Sequence, residues 1–202
     1  MQILLATGNP HKLDEVLAIL APLGIDVVAL DSLGTMPPEP VEDAETFAGN
    51  ARLKARGYAA ATRRRCLADD SGLAVDALDG APGVHSARYA GTGSTRDERD
   101  QANNAKLLLA LRDIPPDLRT ARFVCCMCVA DPDGTIVAES RGTFDGVITT
   151  APRGTNGFGY DPLLELEDGR TSAELEPDEK NRRSHRGQAT LALAAMLGRL
   201  SA

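Results

Sequence analysis

Ile3-Leu4-Leu5-Ala6-Thr7-Gly8-Asn9-Pro10-His11-Lys12 decides the fold class. The first four residues form a short apolar run, as in a buried strand, and Thr7-Gly8-Asn9-Pro10 breaks it. Asn9 suits an N-cap and Pro10 the first helical position. Leu13, Leu17 and Leu20 then form one stripe, which predicts a helix from Pro10 to Leu20. Strand, glycine turn and capped helix in immediate succession are the opening of an α/β protein. Free N–H groups and the positive end of the helix dipole make such a turn a candidate anion site, with Lys12 as an added charge. Neither a Walker A loop nor a G-x-G-x-x-G turn is present.

Working outward, Ile25–Leu30 reads as a strand and 31–43, with three prolines, as a loop. A second helix is expected over 44–61. A short strand should lead into a tight turn at Asp69-Asp70-Ser71-Gly72, and Leu73–Leu78 reads as another strand. The Gly-rich stretch 79–94 precedes a third helix over 95–111. A hairpin over 122–131 and 135–140 turns at Pro132-Asp133-Gly134, a separate strand covers 143–149, and a last helix runs from His185 to Leu200. Helices alternate with strands first and strands cluster later, which predicts an α/β fold with a mixed sheet.

The 202 residues suit one domain, 1–202. No apolar run approaches membrane-spanning length, and Met1-Gln2-Ile3-Leu4-Leu5 lacks a basic leader, so a cytoplasmic setting is expected. A net charge of −7 argues against nucleic acid as a partner but permits a small phosphorylated ligand. Cys66, Cys125, Cys126 and Cys128 lack metal or redox spacing and read as small buried hydrophobes.

Two of only seven aromatics fall in Gly157-Phe158-Gly159-Tyr160-Asp161-Pro162. Glycines admit a close ligand and an aromatic offers a face for a nucleotide base. In Asp69-Asp70 an extended backbone sends the two carboxylates to opposite sides, so one of them faces a site. Asn50 and Lys54 share a helix face.

Taken in order, Ala6-Thr7-Gly8-Asn9 with Lys12, Thr46-Phe47 with Asn50-Ala51 and Lys54-Ala55, Ala68-Asp69-Asp70-Ser71-Gly72-Leu73, Gly80-Ala81-Pro82-Gly83 with Ser86-Ala87-Arg88-Tyr89, Gly157 to Pro162, Ala173-Glu174-Leu175, and Glu179-Lys180 with Ser184-His185-Arg186-Gly187 resemble the inosine triphosphate pyrophosphatase family. The resemblance implies an elongated two-lobed α/β structure. A long mixed sheet is flanked by helices, and the active site lies in the cleft between the lobes. It also implies a homodimer and Mg²⁺-dependent hydrolysis of deaminated purine nucleoside triphosphates (ITP, dITP, XTP) to monophosphate and pyrophosphate. Asp70 would be the catalytic base, and Asp70 with Glu42 the metal ligands. Thr7, Gly8, Asn9, Pro10, His11, Lys12, Asn50, Lys54, Ser71 and Lys180 would bind substrate. Phe158 would stack on the base, with Gly159, Tyr160 and Asp161 shaping its pocket and His185 and Arg186 at its edge. One departure is Gly49, where members often carry an acidic residue. A related enzyme preferring pyrimidine or modified nucleotides, and a nucleotide sensor without turnover, are the competing readings.

Overall fold

The computed structural model describes residues 2–200, apart from the side chain at 200. Met1, Ser201 and Ala202, the ends of the expected 1–202 domain, lie outside the described residues. Six strands form one mixed sheet in the order β2-β1-β3-β4-β5-β6: β1 (Gln2–Leu5), β2 (Asp26–Ala29), β3 (Cys66–Val75), β4 (Thr120–Ala130), β5 (Ile136–Ile148) and β6 (Leu164–Glu165). β1 pairs in parallel with β2 and β3, and β5 pairs antiparallel with β6. The helices are α1 (Pro10–Leu20), α2 (Phe47–Thr62), α3 (Arg96–Ala110), α4 (Pro177–Arg183) and α5 (His185–Leu200). Among the described residues no helix is long and apolar enough to cross a membrane.

The chain divides into two compact units. The first holds 1–70, 125–143 and 184–202, and the second 71–124 and 144–183; β3, β4 and β5 each give residues to both. In the first unit, Ile3, Leu5, Leu67, Cys125, Met127 and Val129 pack under Val16 and Leu20 of α1 and Ala189 and Leu193 of α5. Strand periodicity turns the intervening residues of β3 to the other face. There Cys66 Sγ lies against the Thr62 hydroxyl of α2. In the second unit, Leu73, Val75, Leu107, Leu111, Phe123, Phe144, Ile148 and Tyr160 make a separate core. All four cysteines are buried and free.

α1 begins as the sequence predicts: Pro10 is its first residue and Asn9 Oδ1 accepts from His11 N–H at 3.1 Å. Two expectations are corrected. Asp69-Asp70-Ser71-Gly72 is not a turn but the middle of one continuous strand, and the expected strands at 135–140 and 143–149 are the single strand β5. The reason is the same in both. A Cβ on Gly72 would fall on Ser86 Oγ and the Gly83 carbonyl, and one on Gly142 would fall on the His185 carbonyl and Ala189 nitrogen. These glycines admit a neighbouring segment to the strand rather than end it. The second helix also starts later than expected, at Phe47, because Thr46 caps it by accepting from Gly49 N–H.

Candidate active site

The first unit builds two charged clusters on opposite faces of β3. Asp69 lies on the α1–α5 face and is 3% exposed. Lys12 Nζ from the first turn of α1 stands 2.9 Å from Asp69 Oδ2, and Arg186 Nη2 from the start of α5 stands 3.3 Å from the same oxygen. Arg186 is itself 1% exposed and also donates to Glu15, one turn beyond Lys12 on α1. The Cys125 thiol completes the shell, 3.9 Å from Asp69. Burial pushes the Asp69 carboxyl up, but the positive charges of Lys12, Arg186 and Lys54 outweigh it and hold it well below the usual carboxylate range.

Asp70 lies on the α2 face, 8% exposed. Lys54 Nζ is 3.1 Å from Asp70 Oδ1 and 3.0 Å from Glu42 Oε2, so a single ammonium draws two carboxylates together. Asn50 Nδ2 donates to Asp70 Oδ2 at 3.2 Å, while Asn50 Oδ1 accepts from Ala44 N–H at 3.0 Å. One buried amide therefore ties the segment that carries Glu42 to the strand that carries Asp70. Burial raises the Asp70 carboxyl above its ordinary value, and Lys54 and Lys12 offset this only in part. The departure at Gly49 has a structural reason. A Cβ there would stand 2.6 Å from Ala44 Cβ, so the missing side chain lets this segment lie on α2.

Two adjacent carboxylates are thus pushed in opposite directions, Asp69 down by its cations and Asp70 up by burial. Pairs separated in this way are how acid–base roles are divided among like groups. Glu42 and Asp70 also fit a hard divalent cation. Magnesium is usually held by one or two carboxylates with phosphate oxygens completing its shell, and these two oxygens already converge on one cationic atom. Thr7 to His11 form the turn and first residues of α1, with Thr7 Oγ1 accepting from Asn9 N–H at 3.2 Å.

The second unit holds Ser71, which follows Asp70 along β3, and the Phe158 loop. Asp161 is buried and carries three bonds: Lys180 Nζ at 2.6 Å, the Ser172 hydroxyl at 2.7 Å and Phe158 N–H at 2.8 Å. Gly157 needs its glycine because a Cβ would meet the Asp161 carboxylate. The Phe158 ring is half-buried, with Lys180 Nζ 5.2 Å and the Arg96 guanidinium 5.9 Å from its centre. Tyr160 is a core side chain, 4% exposed, whose hydroxyl donates to the Ser86 carbonyl at 2.9 Å. It supports the loop from beneath.

The structure therefore gathers Lys12 and Arg186 around Asp69; Glu42, Asn50 and Lys54 around Asp70; and Phe158, Asp161 and Lys180 in the loop. His185 is buried at the first position of α5. The sequence reading missed Glu15, Ser172 and the fixed-anion role of Asp69. Glu15 lies three residues after Lys12, a spacing that shares a helix face.

A model of the Ham1 family matches residues 3–196. A dITP/XTP pyrophosphatase from Exiguobacterium sibiricum is 50% identical, covering 98% of this chain and 97% of its own. A solved HAM1 protein from Coxiella burnetii superposes with a TM-score of 0.87 at 39% identity, covering 98% of this chain and 99% of that one. A solved nucleoside-triphosphatase / dITP/XTP pyrophosphatase from Mycobacterium abscessus gives 0.76 at 43% identity over 96% and 98%. With its opening strand, turn and helix, its split carboxylate pair and its glycine-aromatic loop all inside the matched span, the chain belongs to the Ham1 family.

Proposed function

We propose that this protein hydrolyses ITP, dITP and XTP to the monophosphate and pyrophosphate, removing deaminated purines from the nucleotide pool. The observation that carries the reading is the opposed setting of Asp69 and Asp70. A nucleotide sensor has no use for a buried carboxylate held by Asn50 and Lys54 beside a second carboxylate. The names of the relatives, over nearly the whole of each chain, support the substrate class.

Asp70 orients a water and takes its proton as the water oxygen bonds to the α-phosphorus. The bond from that phosphorus to the bridging oxygen breaks, and pyrophosphate leaves. Lys54, Lys12 and the N–H groups of the turn from Thr7 to His11 offset phosphate charge. Asn50 holds Asp70 at its angle. Mg²⁺, held by Glu42 and Asp70, would screen the phosphates and polarise the phosphorus under attack. The lysine-paired Asp161 holds the loop on which Phe158 stacks the base. Hypoxanthine and xanthine carry an acceptor oxygen at C6 where adenine carries a donor amine. Backbone N–H donors aimed there leave adenine facing an unpaired polar group. That mismatch costs about 1–3 kcal/mol. Guanine shares the C6 oxygen, so its C2 amine is what the pocket must disfavour. The homodimer implied by the family resemblance and a cytoplasmic setting belong to the same reading; sedimentation of the purified protein tests the first.

The deciding experiment is pyrophosphate release from ITP, dITP, XTP, ATP and GTP, each with Mg²⁺ and with EDTA. Mg²⁺-dependent release from the first three and little from ATP or GTP is expected. Equal release from all five sinks the base selection. Nucleotide binding with no release from any puts the sensor in its place.

A further inference from the structure

The Phe158 ring can select a base only if its Cα is held still, and within the loop its carbonyl accepts from Asp161 N–H at 3.2 Å, which leaves the Gly159 N–H and carbonyl to be held from outside the loop. Asp161 accepts from Phe158 N–H and so fixes the peptide before Phe158. The N–H side of the peptide after it, and the peptide beyond, are fixed from α3. Asp100 Oδ2 accepts from Gly159 N–H at 2.9 Å, and Asn104 Nδ2 donates to the Gly159 carbonyl at 3.0 Å. Asp100 and Asn104 are four residues apart and share one face of α3. They grip the two successive peptides that flank the Gly159 Cα and pin its φ at +63°, a left-handed value natural to glycine.

We infer that Asp100 and Asn104 are positioning residues for the Phe158 ring, setting the affinity for the base through the Gly159 backbone. The inference rests on the assignment of Phe158 as the stacking residue. Asn104 shows that stability alone does not explain the arrangement. Its Oδ1 is buried with no donor among the described residues, a cost that an apolar side chain would avoid. The amide is kept in place by the one bond its nitrogen makes to the loop. Arg96, a turn earlier on α3, completes the same wall with its guanidinium 5.9 Å from the ring centre.

The test compares wild type, Asp100→Ala, Asp100→Asn and Asn104→Leu in the full chain. For dITP, Asp100→Ala and Asn104→Leu should raise KM about tenfold with kcat within about twofold. Asp100→Asn, whose amide oxygen still accepts from Gly159 N–H, should restore KM. The inhibition constant of inorganic tripolyphosphate, which has no base, should not move. Asn104→Leu should melt no lower than wild type. Without any ligand, hydrogen exchange at the Gly159 amide should quicken in Asp100→Ala and stay slow in Asp100→Asn. An unchanged KM, a parallel rise for tripolyphosphate, or an unchanged Gly159 exchange rate overturns the inference. If wild type does not hydrolyse dITP, the proposed function falls instead, and the Gly159 exchange rate decides the clamp by itself.

Discussion

The two faces of β3 receive the same side chain and treat it oppositely. On the α1–α5 face Asp69 meets two full cations, and a third group, Glu15, shares one of them. On the α2 face Asp70 meets one cation that it must share with Glu42. Both are buried, so desolvation works against both charges; what differs is the number of positive charges available to offset it. The lesson is that burial alone does not make a carboxylate basic. The balance of nearby charge decides, and a one-residue step along a strand is enough to change it.

The comparison breaks first at Asp70. Asp70→Asn should lower kcat by about 10²–10⁴-fold with the fold intact. Turnover near wild type would remove Asp70 from the chemistry and leave the contrast without a function. Asp69→Asn should do the reverse and act chiefly on stability. Removing the anion that Lys12 and Arg186 share, with Glu15 left to pair Arg186, should cost about 3 kcal/mol in denaturant unfolding. The sign with pH follows from the depressed carboxyl. Its contribution is complete above the usual carboxyl value of 3.8 and is lost as pH falls towards its lower folded value. In EDTA the gap between wild type and Asp69→Asn should therefore hold steady near neutrality and narrow in acid. A gap that widens in acid would reverse the assignment.

Phe158→Ala carries the contrast into the second unit. It should raise KM by about tenfold or more with kcat little changed, since stacking on one aromatic is worth about 1–3 kcal/mol per base. A fall in kcat at constant KM would place the ring in the reaction rather than in recognition. The smallest effect is expected at Asn50. Asn50→Ala removes one donor from Asp70 and frees the Ala44 segment, and kcat should fall about tenfold or less. If the loss equals that of Asp70→Asn, the amide is part of the proton path and not a brace.

The limits of sequence reading show at particular residues. α1 was legible to the residue because its signals are local: a cap, a proline and an apolar stripe all lie within one turn or two. The opposite facing of Asp69 and Asp70 was legible because strand periodicity is a backbone property. Strand continuity through Gly72 and Gly142 was not. A glycine that ends a strand and a glycine that admits a neighbour look the same in sequence, and the segments that press on these two lie 11 or more residues away. The Phe158 loop announced itself by composition. Its supports, Asp100, Asn104 and Ser172, are ordinary polar residues whose role exists only once the chain has folded.

The sequence by itself determined the opening strand, the Asn9 cap with its helix, and the side of the strand to which each carboxylate turns, because these follow from local dihedral preference and repeat. It also placed the chemistry-bearing residues in the order that identifies the family. Only the tertiary structure decided that Asp69 would meet Arg186, 117 residues away, while Asp70 would share Lys54 with Glu42. Charge balance in a buried site is a sum over neighbours, and those neighbours are set by how helices pack on a sheet rather than by distance along the chain.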